Sequence, residues 1–191
     1  GLVAAGDPFA KGLSTSGPMG RNAEDTIRLL HTLVADPRPD QPLSLHQVLS
    51  DTEQFDVLDL HDVKIGWLGN YDGYLAMEPG VLDLCESSLA SVAAAGAVVE
   101  PTMPDFEMSA LWEGWLDLRH WSRVGMHALY EDPETRALLK PELVWEIENS
   151  FALTAVEIRR ANGVRSRWYR EIDRLFDRYD LLALPTAQVF P

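Results

Sequence analysis

A chain of 191 residues, 46% apolar and 24% charged, holds enough apolar material for one well-cored domain and lacks the bias of disordered, coiled-coil or collagen-like sequences. Its formal net charge of −14 argues against a protein built mainly to hold nucleic acid or an anionic membrane, because phosphate needs a basic footprint. One cysteine, Cys85, cannot form an internal disulfide and points to a reducing, cytoplasmic setting, and no run is long and apolar enough for a membrane span. The first residues, GLVAAGDPFAKG, lack a basic start followed by a long apolar core, so no signal peptide is expected.

The predicted elements begin after Gly17-Pro18. Residues 21–34, RNAEDTIRLLHTLV, carry Ala23, Ile27, Leu30 and Val34 at helical spacing, with Asn22 as N-cap and Asp25 in the first turn. Residues 36–56 hold three prolines without a sustained period and read as a surface connection. VKIGWL (63–68) alternates as a strand whose Ile65 and Trp67 face a core. Pro79 then opens a helix through Leu82, Cys85, Leu89 and Val92 that Gly96 is placed to end, and AVVE (97–100) follows as a second strand. Strand, helix, strand is the order of a parallel βαβ unit.

From Met108 to Asn149 the chain is helical in character and rich in tryptophan, with Trp112, Trp115, Trp121 and Trp145. Thr154 with Glu157 three positions later makes a capping-box pattern for a long helix reaching about Tyr179. LLALP (181–185) reads as a short buried strand. The expected fold is α/β, with a mixed or mostly parallel sheet and helices on its faces, and residues 1–191 form a single domain.

Candidate chemistry is sparse. GLSTSGPMGRN (12–22) approaches the nucleophile elbow G-x-S-x-G, but Ser16 stands where the last glycine belongs and no apolar strand precedes it, which counts against Ser14 or Ser16 as a nucleophile. His120 and His127 are seven apart, whereas a helical zinc pair is spaced by four, so core or solvent roles and no metal site are expected. EDPE (131–134) reads as a turn, and the arginines of RRANGVRSRWYR (159–170) as a solvated helix face. The tryptophans suit a packed core or an apolar ligand pocket.

Three stretches together resemble the amidase signature family: GLSTSGPMGRNAEDTIRLL, then VKIGWL through AVVE, then LTAVEIRRANG through LLALPTAQVFP. The first carries the family's Gly-Pro-Met-Ala/Gly-Arg pattern as Gly17, Pro18, Met19, Gly20 and Arg21; the last carries Tyr179, Asp180, an apolar strand, Pro185 and Thr186. Residues 36–56 and 106–150 match no such pattern, and the second of these is where family members vary with substrate. The resemblance implies amide hydrolysis by a serine nucleophile with a bridging serine and a lysine base, without cofactor or metal, on a small-molecule amide.

By the same resemblance those three catalytic groups lie upstream of the Gly-Pro-Met motif. Lys11, Lys64 and Lys140 match no catalytic lysine context, and no GGSSGG-like run is present. A middle-to-C-terminal portion of a truncated amidase-signature fold, inactive alone, is therefore expected, with no catalytic residue of its own. Trp112, Trp115 and Thr186 become substrate-binding candidates, and Gly17, Pro18 and Arg21 a structural motif. Unpaired strand edges and exposed apolar surface lead to an expected homo-oligomer. The rival expectations are a non-catalytic binding or interaction module on the same scaffold, and a small hydrolase using Ser14 with a histidine.

Overall fold

The computed structural model describes residues 17–34 and 59–190. Ser14, Ser16, Lys11 and the connection at 36–56 lie outside the described residues. The chain divides into two compact units, residues 1–58 and 59–191.

In the first unit the described part is the approach to α1 (Ala23–Val34) and the helix itself. Asn22 caps it as expected: its Oδ1 accepts the Asp25 N–H at 2.8 Å. Glu24 and Asp25 place negative charge at the positive end of the helix dipole. A β-carbon at Gly20 would fall 2.6 Å from both the amide nitrogen and Oγ1 of Thr26, so the chain enters the helix by a path open to glycine.

The second unit is built on a three-stranded parallel sheet of order β2-β1-β3, comprising β1 (Lys64–Trp67), β2 (Val98–Pro101) and β3 (Leu181–Ala183). Ile65 faces Val99 on one side and Leu181 on the other. Between β1 and β2 runs α2 (Val81–Ala94), so the βαβ reading of the sequence holds. It starts after Gly80, which takes a φ of 94° as N-cap, and Gly96 (φ 112°) lies just beyond its C-cap Ala95. Both glycines hold left-handed backbone that a side chain would strain.

The tryptophan-rich region is not one run of helix. It comprises α3 (Met108–Trp121), a 3₁₀ turn (Val124–Met126), α4 (His127–Glu131), α5 (Pro133–Arg136) and α6 (Pro141–Ser150). The expected turn at EDPE is a helix junction: Asp132 ends α4 and caps α5, its carboxylate accepting the Glu134 N–H at 3.0 Å, and Pro133 suits the first helical position. The capping box at Thr154 and Glu157 opens α7 (Ala155–Phe176), with both reciprocal bonds formed.

Helices α3 and α7 pack closely, because Gly114 lets the α3 backbone approach Val164, whose Cβ would stand 3.2 Å from an added methyl. Leu68, Tyr71, Leu175 and Tyr179 form a core against which Met108, Trp168, Ile172 and Leu182 pack. Ile147 is fully buried, worth about 1.5–3 kcal/mol relative to exposure.

Tyr179-Asp180 fixes β3 to β1. The Lys64 N–H donates to Asp180 Oδ2 at 2.9 Å while the Asp180 N–H donates to the Lys64 carbonyl at 2.9 Å. Gly66 leaves room for the tyrosine ring: a β-carbon there would lie 2.8–3.0 Å from Thr102, Leu182 and Tyr179. The expectation of a buried terminal strand is corrected, since Leu181 is 48% exposed and β3 has one neighbour among the described residues.

Candidate functional site

In open α/β sheets ligands meet the carboxyl ends of the strands, where the loops diverge. Here those ends lead into the segments 68–80, 102–107 and 184–190. Two backbone bonds continue the sheet outward, Leu68 N–H to Ala183 carbonyl (2.9 Å) and Thr102 N–H to Trp67 carbonyl (2.8 Å). The first and third segments are laced together: Glu78 N–H donates to the Gln188 carbonyl, Gln188 Nε2 to the Ala76 carbonyl, and Phe190 N–H to Glu78 Oε2. Thr186, exposed, stands in the third segment.

A groove of about 470 Å³ opens beside the second segment, between Asp105, Phe106, Glu107 and Ala110 on one wall and Arg167, Arg170, Glu171 and Arg174 on the other. The three arginines follow the spacing i, i+3, i+7, which puts them on one face of α7. Glu171 is buried and ties the walls together: Oε1 accepts the Asp105 N–H at 2.8 Å, and Oε2 pairs with Arg174 at 2.8 Å. Glu107 caps α3, accepting from the Ser109 hydroxyl and amide, and these bonds hold its carboxyl below the usual range. Phe106 is fixed edge-on to Trp168 with centroids 5.4 Å apart.

Trp112 and Trp115 come together on α3, stacked at 4.9 Å with an 18° interplanar angle, and Arg119 lies over Trp115 at 5.3 Å. At 52% and 45% exposure they form a surface platform. Thr186 makes no hydrogen bond with either, among the described residues. Gly17, Pro18 and Arg21 precede α1, and Arg21 Nε lies 3.5 Å from Asp25 in an exposed pair.

Below the platform a second ionic cluster is closed. Glu146 on α6 receives Arg119 Nε at 2.5 Å and Arg123 Nε at 2.6 Å. Burial pushes the Glu146 carboxyl up, but the hydrogen bonds and charges of Arg123 and Arg119 outweigh it and hold the group below the ordinary value. His120 is buried, its Nε2 without a hydrogen-bond partner and its ring edge-on to Trp145; burial lowers its pKa, against the opposing charges of Asp117 and Glu146.

His127 Nε2 lies 2.7 Å from the Ser150 hydroxyl, a pairing across 23 residues that no sequence spacing signals. Ser150 is buried and donates its proton to the Ile147 carbonyl at 2.6 Å. The imidazole nitrogen must therefore be the donor to Ser150 Oγ, the reverse of what a general base requires. Among the described residues, no group of three or more His, Cys, Asp or Glu could hold a metal ion, and no helix is long and apolar enough to cross a membrane.

What the arrangement offers is binding chemistry. The groove arginines read from sequence as a solvated face. Their common stripe was legible, but the wall opposite, carried by Phe106 some sixty positions earlier, was not.

A family model described as Amidase matches residues 1–191. The chain is similar to a glutamyl-tRNA(Gln) amidotransferase subunit from Mycobacteroides abscessus, 29% identical over 98% of this chain and 42% of the relative. It is also similar to an acylamidase of Rhodococcus erythropolis, 23% identical over 92% and 36%. Among solved structures, a bacterial aryl acylamidase of the amidase signature family superposes with a TM-score of 0.72 at 21% identity, covering 92% of this chain and 37% of that one. The chain thus spans about two-fifths of the length of the curated relatives it matches.

Proposed function

Because the chain belongs to the amidase family, we propose that it is the substrate-side part of a hydrolase that cleaves carboxamide C–N bonds by serine acyl transfer. The family match across residues 1–191 carries this reading, and the superposition on an amidase-signature fold supports the architecture. In this role β1, β2 and β3 with their loops form the scaffold. Trp112, Trp115 and Thr186 line the approach of a small-molecule amide, and Gly17, Pro18 and Arg21 set the entry to α1.

Acyl transfer needs an activated hydroxyl and donors for the oxyanion. The sequence has no Ser-Ser-Gly-rich run, and the His127–Ser150 contact is polarised the wrong way. This chain by itself therefore turns over no amide. The scale is set by serine-triad proteases, where losing the nucleophile costs roughly 10⁶ in kcat. The protein acts in the cytoplasm without a cofactor and self-associates through β2 and β3, whose outer edges are unpaired among the described residues, and through exposed Leu181, Leu184 and Val189.

Mass spectrometry of carboxamides incubated with the purified chain tests the reading. Product at the buffer rate is expected for the wild type, Ser14→Ala and Ser16→Ala alike. Turnover that either substitution abolishes would overturn it.

A further inference from the structure

We propose that the groove between the β2–α3 segment and the carboxyl half of α7 binds a small aromatic carboxylate, its carboxyl group on Arg167 and Arg170 and its ring against Phe106 and Ala110. The hydrogen-bonding groups left without a partner in the groove lead to this ligand. Of the three carboxylates lining it, Glu171 accepts the Asp105 amide and pairs in charge with Arg174, and Glu107 keeps its charge while accepting from Ser109. Arg174 is neutralised in the same exchange. Arg167 and Arg170 face the groove with no carboxylate partner among the described residues, leaving Asp105 as the one uncommitted negative charge on its walls.

The groove as a whole carries three arginines and three carboxylates, so what Arg167 and Arg170 offer a ligand is unpaired directional donors rather than net positive charge. Arg170 is also preorganised, since its Nε donates to the Ser166 carbonyl at 3.1 Å and its outer nitrogens remain available. Guanidinium recognises planar carboxylate by paired hydrogen bonds, which is why arginine recurs where such groups are held. The opposite wall is apolar at Phe106 and Ala110, and Trp168 fixes the orientation of the Phe106 ring. A volume of about 470 Å³ lies within the range of small-molecule sites. A ligand of one planar ring with one carboxylate satisfies both walls, and this binding does not depend on amide turnover.

Benzoate, benzyl alcohol and inorganic phosphate, each titrated into the purified chain and followed by calorimetry and by intrinsic tryptophan fluorescence, test the assignment. Benzoate is expected to bind with a dissociation constant of roughly millimolar or tighter, and both other probes about tenfold or more weakly. Phosphate binding as tightly as benzoate would remove the aromatic half of the proposal, and benzyl alcohol binding equally would remove the ionic half. Arg167→Gln and Arg170→Gln should each weaken benzoate about tenfold, whereas Arg159→Gln, which makes the same charge change on α7 outside this groove, should leave it unchanged. Equal loss in all three would reduce the effect to general charge attraction and overturn the site. The wild-type comparison of benzoate with benzyl alcohol decides the matter even if a variant fails to fold.

Discussion

Two arginine clusters flank α3, and they differ in what their charges meet. Arg119 and Arg123 converge on Glu146, whose side chain is 10% exposed, and the three groups close on one another. Arg167 and Arg170 line an open groove where the neighbouring Glu171 is already engaged by Arg174 and the Asp105 amide. The first cluster joins α3 to α6; the second has donors to spare. Capacity for a ligand follows from uncompensated hydrogen-bonding groups, and a count of arginines says nothing about it.

The sharpest way to break this comparison is to remove the closing charge. Glu146→Gln leaves two guanidiniums facing each other in a half-dry site, and a loss of about 3 kcal/mol in denaturant unfolding is expected, at the low end for buried pairs because both arginines keep part of their water. The effect carries a pH signature. The folded-state pKa of Glu146 is depressed, so its contribution is fully present above the ordinary glutamate value and is lost as pH falls through the folded value. The gap between wild type and variant should therefore close on acidification, and a gap independent of pH would show that the cluster is not held by charge.

A smaller effect is expected at the start of the helix that carries the groove. Thr154→Ala removes half of the capping box and should cost about 1 kcal/mol in thermal or chemical unfolding, with benzoate affinity unchanged because Arg167 lies more than three turns away. The smallest is expected in the groove itself. Arg167→Gln should leave stability within about 0.5 kcal/mol of wild type, as befits an exposed side chain that holds no carboxylate. If it destabilises as much as Glu146→Gln, the two clusters are alike and the groove is merely structural.

Local signals in the sequence carried much of the fold. VKIGWL forms the expected strand, although Ile65 and Gly66 are both buried and Trp67 only half-buried, so the alternation itself is not kept. The Asn22 cap and the Thr154–Glu157 pair are short-range chemistry and appear where their residues dictate. The strand–helix–strand order gave the α/β class, which the superposition bears out. Less legible were features set by distant partners. The breaks between α3 and α6 depend on Asp132, which caps α5, and on Pro141, which starts α6, roles visible only once the helices are divided. The exposure of β3 depends on how many strands flank it, and the pairing of His127 with Ser150 on how α4 meets α6. The groove belongs to the same class, because Phe106 and Arg170 share it through the packing of α3 on α7.

The central place of β1 has a consequence in time. Its partner on one side is close in the chain, but its bonds with Asp180 join residues 116 positions apart. On a ribosome adding about 5–20 residues per second, β1 emerges several seconds or more before β3 exists. During that interval the edge that β3 will cover is open, and α2, β2 and all the helices of the tryptophan-rich region are made in the meantime. Among the described strands β3 therefore joins last, and the segment that starts at Tyr179 sets both its register and the moment at which that edge of β1 is covered.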